Sequence, residues 1–190
     1  MANFTLSAKS PLARTSAVHE GCEVRQVRNL SVASVAAARG NQGAFAAAVA
    51  ELGLSLPEAG MFATHGTRTI ASTGYQQWFV CATDEPTLAA DITTGLAGSG
   101  YATDQTGAWI DLRMSGPNSR DVLERMCALD LHQEAFAVGM CARTTMEHLG
   151  AQIALLDDTP TFSLMTPSSS SRSFWSALEH ALASACGPSI

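Results

Sequence analysis

The sequence predicts an α+β domain, and three observations carry that prediction. Segments that alternate apolar and polar residues, as half-buried strands do, are interleaved with segments of helical periodicity. Glycine, proline and acidic residues punctuate the boundaries between these segments. The chain lacks the long parallel strand–helix repeats of a nucleotide-binding fold, so a doubly wound parallel sheet is not expected.

Strands and helices of the first half follow from local patterns. Residues 1–20 are expected to form an extended arm, and residues 24–35 alternate as one strand. The Ala-rich residues 43–52 predict a helix that opens after Asn41 and stops near Gly53.

A hairpin and a second helix are predicted next. Residues 67–73 and 77–81 read as two strands joined by a turn at Gly74. Asp84, Glu85 and Pro86 are typical of a helix N-terminus, with acids facing the positive end of the dipole. That helix is expected to run to about Leu96.

The second half repeats the alternation. Its predicted strands and helices, in order, are an extended stretch from 102, a strand at 108–115, a helix at 120–127, strands at 141–149 and 151–156 joined at Gly150, a strand at 162–166, and a helix at 174–185 capped by the serines before it. This order fits two split βαβ halves of ferredoxin-like type. We therefore predict one α+β domain over residues 21–190, with halves at about 21–100 and 101–190, preceded by the arm at 1–20.

Composition limits the kinds of partner and compartment. The 190 residues are 46% hydrophobic and only 15% charged, with a net charge of −6, whereas an average soluble domain is roughly 25% charged. This shortage indicates either a surface covered by another chain or an Ala-rich, slightly apolar monomer. The acidity argues against nucleic-acid binding. The apolar runs are too short to span a bilayer and no signal peptide is recognised, so we expect a cytoplasmic protein without membrane contact.

The chain offers few residues for chemistry. The cysteines are odd in number and none forms a CxxC motif, which favours reduced thiols over a disulfide framework: they are Cys22, Cys81, Cys127, Cys141 and Cys186. Cys127 or Cys141 with His132 or His148 is the nearest approach to a nucleophilic or zinc site, but the spacing is loose. We expect His132 to hold a loop through backbone hydrogen bonds, and we assign no catalytic, cofactor-binding or metal residue.

The remaining candidates have structural explanations. Residues 95–100 contain three glycines but follow a helix, so we interpret them as a helix stop and not a phosphate loop. The Asp84–Glu85 pair is assigned to helix capping, and Asp157 with Asp158 to a hairpin turn. Arg143 is expected to form an internal ion pair, with contact to a neighbouring subunit as the alternative. Phe174 and Trp175 are expected in the core.

Three stretches of the chain carry motifs whose order and spacing are informative. The first is Leu-Arg-Met-Ser-Gly-Pro at 112–117 with Ser-Arg-Asp-Val-Leu at 119–123. The second is Cys-Ala-Leu-Asp-Leu-His at 127–132, ahead of Phe-Ala-Val-Gly. The third is Ala-Arg-Thr-Thr-Met at 142–146 with the late Arg-Ser-Phe-Trp at 172–175. In this order and spacing they resemble the gamma subunit family of heterotetrameric sarcosine oxidase, and the resemblance covers most of the chain and is strongest from about Asp111 onward.

This resemblance implies a fold related to the folate-binding aminomethyltransferase domain and a structural, non-catalytic role. The partners would be the alpha, beta and delta subunits of a complex that demethylates a secondary N-methyl amine. FAD, FMN, NAD, zinc and tetrahydrofolate would belong to those other subunits, with none on this chain. A closely similar subunit occurs in N-methylglutamate dehydrogenase, and a free-standing folate-binding protein of aminomethyltransferase type is the further alternative.

Overall fold

A computed structural model describes residues 9–187 of the chain, which form two antiparallel sheets and four α-helices. The strands are β1 (Ser16–His19), β2 (Cys22–Gln26), β3 (Leu30–Ala37), β4 (Phe62–His65), β5 (Arg68–Gly74), β6 (Gln77–Thr83), β7 (Gly100–Asp104), β8 (Trp109–Ser115), β9 (Cys141–Met146), β10 (Leu149–Asp157) and β11 (Thr161–Pro167). The helices are α1 (Gln42–Glu51), α2 (Leu88–Leu96), α3 (Ser119–Glu124) and α4 (Ser171–Cys186).

The two sheets are stacked face to face with helices on their outer faces. The six-stranded sheet has the order β1-β2-β8-β11-β10-β9, and the five-stranded sheet has the order β4-β5-β6-β3-β7. One core lies between the larger sheet and helices α3 and α4, and a second lies between the smaller sheet and α1 and α2. Two small apolar clusters, centred on Phe79 with Met165 and on Ala71 with Cys141, join the sheets.

Both sheets contain the ferredoxin-like strand arrangement. In the smaller sheet, β5-β6-β3-β7 is the antiparallel order of a split βαβ unit, and β4 is added at its edge. In the larger sheet, β10, β11 and β8 take the matching places. Its fourth place is taken by β2, so a strand from the N-terminal part of the chain completes the sheet of the second half. The last residues of the predicted arm form β1 beside β2; the first eight residues of that arm lie outside the described range.

Several boundaries differ from the sequence predictions. The single strand expected at 24–35 is two strands in different sheets, because the chain crosses between them at Asn29, which has a φ of 52° and donates to Asp84 (2.6 Å). The left-handed turn residue after β5 is Gln76 rather than Gly74. The turn predicted at Gly150 is formed by the two residues before Leu149, both with positive φ.

The helices were predicted more accurately than the turns. Helix α1 starts after Asn41 and is followed by Gly53 in a left-handed conformation, as expected. Helix α2 begins at Leu88, later than predicted. Helix α4 is longer than predicted, and its Phe174 and Trp175 are buried as expected. None of the helices in residues 9–187 has the length and apolarity of a membrane span.

Candidate functional site

The structure does not assemble the predicted nucleophilic candidates. The buried Cys141 thiol donates to the backbone oxygen of Met61 (3.1 Å), and burial raises its pKa to about 11. The Cys127 thiol donates to Leu123 O (3.5 Å), and burial also raises its pKa. In the described part of the chain neither thiol is hydrogen-bonded to an imidazole. Both thiols are therefore protonated donors at neutral pH rather than nucleophiles.

The two histidines considered with these thiols are exposed. The His132 ring accepts a hydrogen bond from the Glu134 N–H (3.4 Å) within its own loop, which confirms the predicted backbone role. His148 lies in the tight turn between β9 and β10. No group of three or more His, Cys, Asp or Glu side chains suited to a metal ion occurs among residues 9–187.

The glycine-rich stretch and the second acid pair have the predicted structural roles. Ala97 adopts a left-handed C-cap conformation after α2, and the Ser99 N–H donates to Leu96 O (2.8 Å), which closes the helix. The Asp157 carboxylate accepts hydrogen bonds from the hydroxyl and the N–H of Thr159. These bonds lower the pKa of Asp157 and shape the hairpin turn.

The first acid pair was wrongly assigned to helix capping. Glu85 lies outside α2 and pairs with Arg68 of β5 (2.8 Å) while accepting from the Thr67 hydroxyl (2.8 Å). Asp84 instead has a φ of 60° and accepts from Asn29. The acids thus connect the start of α2 to the sheet, a long-range contact that local sequence could not reveal.

The internal partner expected for Arg143 is not found within residues 9–187. Its side chain is exposed on β9, the edge strand of the larger sheet. The internal ion pair is formed by Asp111 and Arg113 of β8 (2.8 Å), and Asp111 also accepts from the Ser163 hydroxyl (2.7 Å). Burial raises the pKa of Asp111, while Arg113 and the Ser163 hydrogen bond oppose that rise.

A second arginine missed by sequence reasoning organises the loop after α3. The Arg120 guanidinium donates to the backbone oxygens of Leu131 and Phe136 and lies 5.5 Å from the centre of the Phe162 ring. Arg120 belongs to the Ser-Arg-Asp stretch of the first motif. By donating to two backbone oxygens of the loop after α3, the planar guanidinium holds that loop in place, which explains the arginine at this position of the motif.

A cleft lies where the chain crosses from β2 to β3. Its volume is about 490 Å³, and Lys9, Arg28 and Trp109 are among the lining residues, which include no Cys, His, Asp or Glu. Two of its polar side chains are already engaged: Gln26 accepts from Ser10, and Asn29 donates to Asp84. This cleft has the size of a small-molecule site but no acid–base or nucleophilic pair.

An open sheet edge is the clearest surface for association. The outer side of β7 pairs with no strand among residues 9–187, and Tyr101 on that strand is 69% exposed. Tyr101 is in register with Ala36, which is in turn in register with Gln77 across the sheet. Exposed tyrosines and free edge strands are typical of protein-binding surfaces.

Comparison with known proteins places this geometry in a recognised fold. No protein-family model and no curated protein sequence matches the chain. A chain of the heterotetrameric sarcosine oxidase from Corynebacterium sp. U-96, solved in complex with pyrrole 2-carboxylate, superposes with a TM-score of 0.82 at 20% identity. The match covers 96% of this chain and 98% of that one, so the two are nearly coextensive.

A second solved structure, that of a longer protein, shares the fold over part of its length. The aminomethyltransferase T of the glycine cleavage system from Bartonella henselae gives a TM-score of 0.62 at 12% identity, covering 84% of this chain and 46% of that one. The present chain thus spans less than half of that protein. Both matches confirm the predicted α+β class and its relation to the aminomethyltransferase fold.

Proposed function

We propose that this chain is the gamma-type structural subunit of a heterotetrameric flavoenzyme of the sarcosine oxidase type. The observation that carries the proposal is the near end-to-end match of fold with a chain of such an enzyme. The sequence motifs at 112–117, 127–132 and 172–175 support it independently, because a sequence motif does not depend on the fold match. On this proposal the chain contributes no catalytic residue to the oxidation of the N-methyl amine.

The distribution of side chains agrees with an assembly role. Cys127 and Cys141 are held as protonated thiols, His132 serves its own loop, and the cleft at the sheet crossover lacks titratable acids and imidazoles. The low fraction of charged residues and the open edge at Tyr101 favour a surface covered by other chains. Alpha, beta and delta subunits are the proposed partners, and they would hold the flavins, NAD, zinc and folate. The free thiols support a cytoplasmic location for that assembly.

Co-expression tests the proposal. The chain would be produced alone and together with alpha, beta and delta chains of a sarcosine oxidase-type enzyme from the same organism, and each preparation would be analysed by size-exclusion chromatography with flavin absorbance. We expect a colourless, aggregation-prone chain when it is alone and a flavin-containing complex with all four chains when it is co-expressed. A stable, monodisperse monomer that never elutes with the flavin chains would contradict the proposal. Assaying the complex with sarcosine and N-methylglutamate identifies the amine.

The fold shared with aminomethyltransferase T favours one second candidate, a folate-binding protein. Its support is narrower, because the chain spans 46% of that enzyme. Calorimetric titration of the purified chain with tetrahydrofolate separates the two candidates. Saturable binding by this chain in the absence of partners would favour the folate-binding protein.

A further inference from the structure

Two cysteines from opposite ends of the described chain meet at one corner of the larger sheet. Cys22 is the first residue of β2, and Cys186 is the last residue of α4. His19 lies opposite Cys22 in the β1–β2 register, and its Nδ1 atom is 2.8 Å from the backbone oxygen of Gly187. This hydrogen bond fixes the residue after Cys186 beside the strand pair that presents Cys22.

The two cysteines are neighbours and differ in access. Cys22 belongs to the core between the larger sheet and helices α3 and α4, and Cys186 packs against that core, where it is among the groups that act on the Cys22 thiol. Cys22 is only 3% exposed and has the Ser119 hydroxyl 3.7 Å from its sulfur, whereas Cys186 is partly exposed and packs against the same core. Burial raises the pKa of Cys22 to about 11, so this thiol stays protonated in neutral solution.

The other three thiols have different neighbours. Cys127 and Cys141 donate to backbone oxygens, and the Cys81 sulfur is 3.9 Å from the Met165 thioether. None of those contacts offers a second thiol with which a disulfide could form. Within residues 9–187, Cys22 and Cys186 are the cysteines that pack at one place in the fold, a relationship that the odd number of cysteines concealed in the sequence.

We propose that Cys22 and Cys186 form a redox-sensitive pair that a peroxide closes into a disulfide, fastening the end of α4 to the β1–β2 hairpin. The accessible Cys186 thiolate attacks one peroxide oxygen; the O–O bond breaks, giving a sulfenic acid and a hydroxide that takes up the thiol proton as water. The Cys22 sulfur then attacks the sulfenic sulfur, the S–O bond breaks, and the hydroxyl leaves as water with the Cys22 proton. Two thiols are oxidised and one hydrogen peroxide is reduced to two waters.

This modification would act on the stability of the fold. The disulfide would connect residues near the two ends of the described chain and so close a very long loop, the case in which a cross-link restricts the unfolded chain most. The disulfide would also hold the C-terminal end of α4 against the larger sheet. No further helix or strand follows α4 within the described residues. We expect the thermal unfolding midpoint to rise by roughly 5–15 °C on oxidation.

Peptide mapping under non-reducing conditions tests the proposal on the full chain, either alone or within its purified complex. The protein would be reduced, titrated with hydrogen peroxide, alkylated, digested and analysed by mass spectrometry. We expect a peptide linking Cys22 to Cys186, the loss of two hydrogen atoms in mass, and reversal by dithiothreitol. Cys186→Ser should abolish both the linked peptide and the rise in midpoint, whereas the matched variant Cys81→Ser should retain the linked peptide.

Two results would overturn the inference. One is oxidation of Cys186 to a sulfinic acid while Cys22 remains alkylatable, because the pair would then not meet in solution. The other is a peroxide-induced rise in the unfolding midpoint that persists undiminished in Cys186→Ser, because the rise would then not come from this disulfide. Since Cys186 is partly exposed, its serine variant is expected to fold, and the circular dichroism spectrum of the reduced variant verifies this.

Discussion

The carboxylate of Asp111 and the guanidinium of Arg113 pair at 2.8 Å. The two residues are two positions apart on β8, so their side chains lie on the same face of the strand. Asp111 is almost completely buried, with a side chain 3% exposed, while the Arg113 side chain is 27% exposed. The Ser163 hydroxyl of β11 donates to the same carboxylate. This polar cluster lies on the face that the larger sheet turns towards the smaller one.

Removing the Arg113 guanidinium from this cluster should destabilise the fold. We expect Arg113→Leu to lower the free energy of unfolding by about 3 kcal/mol, because the Asp111 carboxylate would stay buried without its counter-charge. The matched control is Arg25→Leu on the neighbouring strand β2, which is exposed and in register with Arg113; its effect should be within about 0.5 kcal/mol. Urea unfolding measures both. Equal losses in the two variants would show that the ion pair contributes nothing specific.

The glycine of the Ser-Gly-Pro turn is required by its backbone. Gly116 has a φ of +119°, and a Cβ at this position would lie 2.4 Å from the backbone oxygen of Gly21. We expect Gly116→Ala to destabilise the chain by about 2–3 kcal/mol. In Gly43→Ala, on helix α1, the new Cβ meets nothing within 4 Å, so a gain of up to about 1 kcal/mol is expected. A neutral Gly116→Ala would refute this account of the motif.

The Asp157 turn predicts a pH effect of defined sign. Hydrogen bonds from Thr159 lower the pKa of Asp157 below its ordinary value of 3.8. The stability that the ionised carboxylate contributes is therefore present above that value and lost as pH falls through the folded-state pKa. Asp157→Asn keeps an acceptor for Thr159 but does not titrate, so its urea midpoint should fall less steeply than that of the unmodified chain between about pH 4 and pH 2. Asp158→Asn, which removes none of these hydrogen bonds, serves as the control and should retain the steeper fall.

A substitution at the open edge of β7 should impair assembly with partner chains without affecting the folding of this chain. Tyr101→Ser should leave the unfolding midpoint of the chain unchanged, because the ring is 69% exposed, yet reduce co-elution with the partner chains at least tenfold. Tyr75→Ser provides a matched control, since Tyr75 is 90% exposed at the β5–β6 turn and not on the edge strand. Unimpaired co-elution of Tyr101→Ser would remove the β7 edge from the proposed interface.

The fold class could be predicted because strand alternation and helix stops are local. The Trp109–Ser115 strand and the Ala-rich helix α1 follow from periodicity and from Asn41 and Gly53 alone. The break at Asn29 could not be predicted, because residues 24–35 alternate only roughly and only the stacking of two sheets makes the chain cross there. The short edge strand β4 was missed for a related reason, since edge strands have few constraints of their own.

The contacts between residues that are distant in sequence could be identified only from the three-dimensional structure. Glu85 next to Pro86 looks like a helix cap until Arg68, far away in sequence, is brought beside it by the β5–β6 hairpin. Cys22 and Cys186 are likewise unrelated in the sequence and meet only because α4 folds back across β1 and β2. The order and spacing of the three sequence motifs, by contrast, can be recognised from the sequence alone, because they do not depend on contacts between distant residues.

Isolation of the chain from its native host tests the central proposal most directly. An affinity tag would be placed on the chromosomal copy, and the proteins that co-purify at endogenous levels would be identified and quantified by mass spectrometry together with bound flavin. The proposal predicts three co-purifying chains of the sarcosine oxidase type, near-stoichiometric with the tagged chain, and flavin in the eluate. Recovery of the tagged chain without flavin-binding partners would contradict it.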